Sequence, residues 1–315
     1  MKRTGDPPCI GSVASLRSGS QVAGNRQNPP TVFTVATISH PIEDVTPLYD
    51  MIMAFLIAAG IGLIAAIIGM GGGFLYVPTL TLIFGFDPKM AVGTSLAVMV
   101  CSSGTATRVY WRQKKVLITL AALLVLPAMI FSLVGSLVTI WFDAKILVIL
   151  FVLVLILMSL QMLVPSLHLI PAIPFGPAID VNMPGSGEHE KMIRIPCIHL
   201  LVWGAFGGLV SGITGTSGGA FFVPALVAVD VPVHFAVATS LLTILPTSIT
   251  GAATHAILGH LSLPFLMVYG IGAAVGAYTG ASLAPRIHAD HIRKIFGILL
   301  IGIALLMIQQ KVLGG

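Results

Sequence analysis

The chain has 315 residues, of which 56% are hydrophobic and 9% charged, with a net charge of +5 and a mean hydropathy of +1.01. Soluble domains carry roughly 25% charged residues, so this composition excludes an ordinary water-soluble globule. The basic residues are scattered through loops and tails with no stripe or stacking motif, which argues against a nucleic-acid partner; Cys9, Cys101 and Cys197 form no CxxC, disulfide framework or metal site.

Residues 1–50 are rich in Ser, Gly, Pro, Thr and Arg. No apolar run follows Lys2 and Arg3, so this is not a secretory signal. Its early part faintly resembles a transit peptide, but it reads better as a disordered cytoplasmic tail or an overlong start, with Met51 or Met53 as the initiator. Residues 51–164 then hold four apolar segments, at about 52–84, 89–110, 116–140 and 146–164. Residues 165–196, with several prolines and "PGSGEHEK", read as a cytoplasmic linker loop. Residues 197–312 hold four more segments, at about 197–229, 234–256, 261–283 and 291–308. Most approach or exceed the roughly 20 residues that cross a bilayer, and none alternates as barrel strands do.

The two sets are a repeat. "GGFLYVP" at 72–78 aligns with "GGAFFVP" at 218–224, and "AVGTSL" at 91–96 with "AVATSL" at 236–241. Ser102 and Ser103 then meet Thr247 and Ser248, Thr105 meets Thr250, and Gly135 meets Gly280. Such internal duplication marks many secondary transporters. The expected fold is an all-α polytopic membrane protein of about eight transmembrane helices in two homologous four-helix repeats, the first helix of each broken by a Gly-rich stretch. Arg108, Arg112, Lys114 and Lys115 place the loop after the second segment in the cytoplasm. Counting crossings then places both termini there too, in a multi-pass protein of the cell membrane. Arg286, Arg293 and Lys294 fall on the wrong face in that count. Four crossings per half give parallel repeats, the preferred reading; a re-entrant first segment would invert them.

Unwound backbone at membrane depth is tolerated only where protein or a polar cavity surrounds it, so two breaks at matching positions predict a shared interior site. Val77 and Val223, each before a proline, are expected to be extended, with Pro78 and Pro224 opening a second half-helix. Free amides at such a helix start bind anions. The candidate substrate-binding residues are Gly71, Gly72, Gly73, Thr94 and Ser95 in the first half. In the second they are Thr216, Ser217, Gly218, Gly219, Thr239 and Ser240, with Thr214 a further hydroxyl. Gly60, Gly62, Gly207, Gly208, Gly272 and Gly276 read instead as packing glycines. Thr243, Thr247, Thr250 and Thr254 share one helical face and line a pore or bond back to their own helix. Arg108 and His255 sit near the cytoplasmic ends of the second and sixth segments, and His255 is a candidate proton or anion relay. No Asp or Glu lies within a segment, which tilts the substrate towards an anion. No cofactor is implied.

A rival enzyme reading rests on Gly215-Thr216-Ser217-Gly218, a GxSG that superficially resembles rhomboid intramembrane proteases with a Ser217–His255 dyad. The first repeat has Gly71 where that Ser stands, so the expectation remains a non-enzyme with no catalytic residue. "GMGGGFLYVPTL", "AVGTSLAVM" and their echoes "SGITGTSGGAFFVPAL" and "VATSLLTI" closely resemble the TauE/SafE family, over about residues 51–312. That resemblance implies a permease for sulfite or an organosulfonate. The partners expected are therefore a small anionic substrate and the lipid bilayer, with a homo-oligomer left open and alternating access as the mechanism. A passive anion channel is the alternative.

Overall fold

The computed structural model describes residues 48–164, 173, 175–183, 191–216, 218–286 and 289–309. They are mostly helical. Helix α1 (Leu48–Ile68) is followed by a turn and the short α2 (Gly73–Pro78), which runs on as a π-helical turn, Thr79–Ile83. Next come α3 (Pro88–Arg112), α4 (Ile118–Val138) with a 3-10 turn at Thr139–Trp141, and α5 (Ala144–Leu163). After strands β1 (Ala178–Met183) and β2 (Lys191–Pro196) the pattern returns as α6 (Cys197–Thr214), α7 (Gly219–Val227), α8 (Val233–Ile257), α9 (Leu263–Leu283) and α10 (Ala289–Met307).

Among the described residues seven helices are long and apolar enough to cross a membrane: α1, α3, α4, α5, α6, α8 and α9. The remaining expected segment is α10, whose first turns carry Asp290, Arg293 and Lys294. The linker, expected to be loop throughout, carries an antiparallel hairpin with Val181 opposite Ile193. Val181, Ile193 and Ile195 are buried in the apolar core. Apolar, β-branched residues at a spacing of two give β2 one buried face.

Glycine sets the helix packing. On α9, Gly272, Gly276 and Gly280 lie against the backbone at Phe55, Ala59 and Leu63 of α1. On α6, Gly204, Gly208 and Gly212 lie likewise against Leu124, Ala128 and Ser132 of α4. Both sets climb in steps of four, so each pair is parallel and its backbones approach where a Cβ has no room. Of the glycines expected to serve packing, Gly62, Gly207, Gly208, Gly272 and Gly276 meet a neighbour; Gly60 is exposed, with nothing within 4 Å of the Cβ it lacks.

Helices α3 and α8 are antiparallel. Gly93, near the start of α3, packs against His255 and His260 at and beyond the end of α8, and Gly104 packs against Leu245. Thr239, near the start of α8, accepts the Leu117 N–H just beyond α3, at 3.1 Å. Arg108 and His255, expected at one membrane face, therefore lie at opposite ends of this pair. The expectation assumed that equivalent helices point the same way. Gln113, at the end of α3, donates from Nε2 to the Ala281 carbonyl near the end of α9, at 3.1 Å. Those two helix ends are level.

Candidate functional site

Helix α1 stops at Gly69, whose φ is +82° and whose N–H donates to the Ala65 carbonyl at 2.9 Å. Helix α6 stops in the same way at Gly215, with φ +69° and its N–H on the Ser211 carbonyl at 2.8 Å. Both are left-handed helix ends of the kind that favours glycine. The first turn continues through Gly71 and Gly72, also at positive φ (+73° and +91°). In the second turn Thr216 is buried, Gly218 is right-handed at φ −53°, and Ser217 lies outside the described residues. The next helices begin alike. Gly72 O accepts from the Leu75 and Tyr76 N–H groups, and Gly218 O from those of Phe221 and Phe222, all at 2.9–3.0 Å.

The prolines fall elsewhere than expected. Val77 and Val223 are helical, and Pro78 and Pro224 lie inside α2 and α7. Each helix starts five residues before its proline, at the glycine. The ring removes one N–H and crowds the preceding turn. After Pro78 the chain relaxes into the wider π turn, where the Thr79 hydroxyl bonds the Leu75 and Tyr76 carbonyls at 2.8 and 2.9 Å.

The two turns meet backbone to backbone. A Cβ on Gly73 would strike the Gly215 carbonyl and come within 2.7 Å of Thr216 C; one on Gly219 would lie 2.9 Å from Gly69 O and 3.0 Å from Met70 Cα. Matched hydroxyls hold them. Ser95 Oγ donates to Gly215 O at 3.0 Å and Val92 O at 2.8 Å. Ser240 Oγ donates to Gly69 O at 2.7 Å and Val237 O at 2.9 Å. Thr94 Oγ1 accepts the Ser262 N–H at 3.2 Å, entering α9, just as Thr239 accepts that of Leu117, entering α4. All four residues are fully buried. Thr214 and Thr216 share a 2.7 Å bond. Gly71 O is 3.4 Å from Ser102 Oγ.

The structure thus brings Gly71, Gly72, Gly73, Ser95, Thr216, Gly218, Gly219 and Ser240 to one junction. Thr94 and Thr239 stand just off it, each tying a helix start. The α8 threonines are spent locally: Thr243, Thr247, Thr250 and Thr254 each donate to a carbonyl three or four residues back, at 2.8–3.0 Å. An apolar groove of about 340 Å³ between α5 and α6, lined by Leu153, Leu157, Met158, Trp203 and Phe221, reaches Thr214 beside the second turn. Because a helix leaves its first N–H groups without intrahelical acceptors, α7 presents amide donors and a positive dipole end at this junction. Among the described residues no group of three or more His, Cys, Asp or Glu could hold a metal ion.

His255 is fully buried, and its Nε2 lies 3.2 Å from Gly212 O, a carbonyl also 3.4 Å from Ser136 Oγ. One residue the sequence reading passed over completes the picture. Tyr110, 145 positions earlier, donates to Ala66 O at 3.0 Å; the repeat offset that pairs Ser95 with Ser240 would have found it. His260, also passed over, holds its ring 5.7 Å from that of His255, tilted at 44°.

A family model described as "Sulfite exporter TauE/SafE" matches residues 54–307. The chain is 27% identical over 281 residues to the probable membrane transporter protein YunE of Bacillus subtilis, covering 82% of this chain and 99% of that one. It is 27% identical over 260 residues to a probable membrane transporter protein of Methanocaldococcus jannaschii, covering 77% and 90%. It is 26% identical over 263 residues to a probable membrane transporter protein of Xylella fastidiosa, covering 80% and 92%. No solved structure matches the chain at a comparable level.

Proposed function

Because this chain belongs to the sulfite exporter TauE/SafE family of membrane transporters, we propose that it is a secondary transporter of a small anion, sulfite or an organosulfonate, working by alternating access. One observation carries the reading: two glycine turns 146 residues apart in sequence are seated on each other, each braced by a serine from the other half. In this reading the anion's oxygens take amides at Gly72, Gly73, Gly218 and Gly219, with Gly71, Thr216 and Ser217 beside them. Ser95, Ser240, Thr94 and Thr239 set the geometry and part when the halves rock. The groove reaching Thr214 offers room for the organic part of a sulfonate.

The halves are then α1–α5 and α6–α10, joined by the 165–196 linker, and they form an inverted repeat. Antiparallel α3 and α8 support inversion, as does the exchange of partners: α1 of one half packs on α9 of the other, and α6 on α4. Each first helix with its short successor makes a re-entrant pair that enters and leaves by one face. Arg108, Arg112, Lys114 and Lys115 then share a face with Arg286 and with the start of α10, which carries Arg293 and Lys294. That face is cytoplasmic by charge, and residues 48 and 309 lie on the outer side, the reverse of the orientation given by counting eight crossings.

The test is counterflow in proteoliposomes. Labelled sulfite exchanges against unlabelled sulfate, thiosulfate, sulfoacetate, taurine, an aromatic sulfonate and a carboxylate. Saturable exchange competed by one or two sulfur anions is expected. Flux that never saturates would favour a channel, and no exchange from folded protein would remove the substrate assignment.

A further inference from the structure

Tyr110 and His255 occupy matching places in the two halves and perform one structural task. The phenol donates to Ala66 O, one turn before the first glycine turn, and His255 Nε2 bonds Gly212 O, one turn before the second. A phenol suffices for that task. The imidazole adds a second nitrogen, and in the structure His255 Nδ1 is buried with no hydrogen-bond partner. This is unlike His199, the other fully buried histidine among the described residues, whose Nδ1 accepts the Ile173 N–H at 3.2 Å while Nε2 lies 2.8 Å from Ala225 O. A carbonyl only accepts, so Nε2 of neutral His255 carries the hydrogen and Nδ1 presents its lone pair.

His260 stands 5.7 Å away, ring to ring, and its Nδ1 is likewise buried without a partner. It lies past the end of α8, half-buried, with its backbone N–H on His255 O at 2.8 Å. Gly93 admits this arrangement, since a Cβ there would strike His260 O and stand 2.9 Å from His255 Cβ. The charged groups acting on His260 are Lys89 and the exposed Asp87 at the start of α3. Around His255 the packed elements bring Gly212 from α6, Ser136 from α4 and Gly93 from α3, none of them titratable; His260 is its ionisable neighbour among the described residues.

We propose that His260 and His255 form a proton relay from the membrane face bearing Asp87 and Lys89 to the second glycine turn, and that the proton is the coupling ion for anion transport. His260 takes a proton from the medium at that face and, as an imidazolium, passes a ring proton directly or through one water to the Nδ1 lone pair of His255, returning to the neutral ring. His255 becomes an imidazolium that keeps its Nε2–H on Gly212 O. Gly212 lies three residues before Gly215, about 4.5 Å along the helix. The new charge therefore sits close to the turn where the anion binds, and proton and anion favour each other's binding. The proposal rests on the transport reading for its anion but not for its proton path.

Two measurements test it. In membranes carrying protein with 15N-labelled histidine rings, assigned with His255→Tyr, the His255 ring should gain a proton as the medium is acidified. His260→Gln should slow its exchange with solvent at least tenfold. Exchange as fast in His260→Gln as in the unchanged protein overturns the relay, whether or not any anion is transported. In proteoliposomes, a pH step should raise accumulation of labelled thiosulfate or benzenesulfonate at least tenfold; both are fully ionised and carry no proton themselves. His255→Tyr, which restores the other half's phenol and its structural bond, should abolish that response, and Tyr110→Phe should leave it intact. A response retained in His255→Tyr overturns the coupling. Absence of counterflow in the unchanged protein would count against the transport reading alone, and the exchange measurement would still decide the relay.

Discussion

Gly73→Ala probes the junction of the two turns most directly. The added methyl would stand 2.7 and 2.8 Å from Thr216 C and Cα, and closer still to the Gly215 carbonyl, where ordinary contact begins at 3.4 Å. All three are backbone atoms fixed by Ser95 and the end of α6, so the turns must separate by about 0.7 Å or more. Overpacking of this kind costs about 1–3 kcal/mol, a roughly 5- to 150-fold shift of any equilibrium in which the turns come together. Gly219→Ala is milder. Its closest contact is the flexible end of Ile244 at 2.5 Å, and the nearest backbone atom is Gly69 O at 2.9 Å. Initial rates of anion counterflow, with melting temperature in detergent measured alongside, should therefore fall in the order unchanged, Gly219→Ala, Gly73→Ala. Leucine at either position should abolish flux while folded protein remains in the membrane. Unchanged flux and melting temperature in Gly73→Ala would refute the seating of the turns and the site built on it.

The packing glycines predict opposite signs. Gly276→Ala places a methyl against the Ala59 backbone and should lower the melting temperature, whereas exposed Gly60→Ala should raise stability by about 0.5–1 kcal/mol through helix propensity. Ser240→Ala leaves the buried Gly69 carbonyl without its cross-half donor and should cost about 1–3 kcal/mol in a denaturation assay. Single cysteines replacing Lys114 and the exposed Asp230, just before α8, should be labelled by an impermeant reagent from the same side of the membrane; labelling from opposite sides would remove the inverted topology. Burial first, then the Lys89 ammonium, holds His260 below the ordinary histidine value, with Asp87 opposing. The fold thus favours the neutral ring. The resulting stability is complete above about pH 6.5 and is lost as pH falls below that value. His260→Gln should flatten the acid limb of melting temperature against pH, and an unaltered limb would show that His260 does not contribute.

Much of the fold was legible because its signals are local. Apolar runs marked the helices to within a few residues, as 89–110 against Pro88–Arg112 shows. Helices α1 and α6 stop at Gly69 and Gly215, the first glycines of the two glycine-rich stretches, because a left-handed helix end favours a residue without a Cβ. The prolines misled, because Pro78 and Pro224 sit inside α2 and α7 rather than opening a second half-helix, and after Pro78 the chain runs on as a π turn. The hairpin was hidden by its flanking prolines and glycines, although Ile193 and Ile195 already stood on either side of the polar Arg194.

The sequence by itself determined that this chain lives in a membrane, that two of its stretches share one pattern, and where glycine interrupts the apolar runs. Hydropathy, repetition and glycine are written along the chain. Only the tertiary structure decided that α3 and α8 run antiparallel and that the two glycine turns meet. The bonds that settle it join residues far apart: Ser95 to Gly215, Ser240 to Gly69, Gln113 to Ala281. Periodicity within a helix carries no record of which way its partner runs. Nor does it say which hydroxyls are spent bracing backbone, or that His255 and Tyr110 do the same work with one nitrogen to spare.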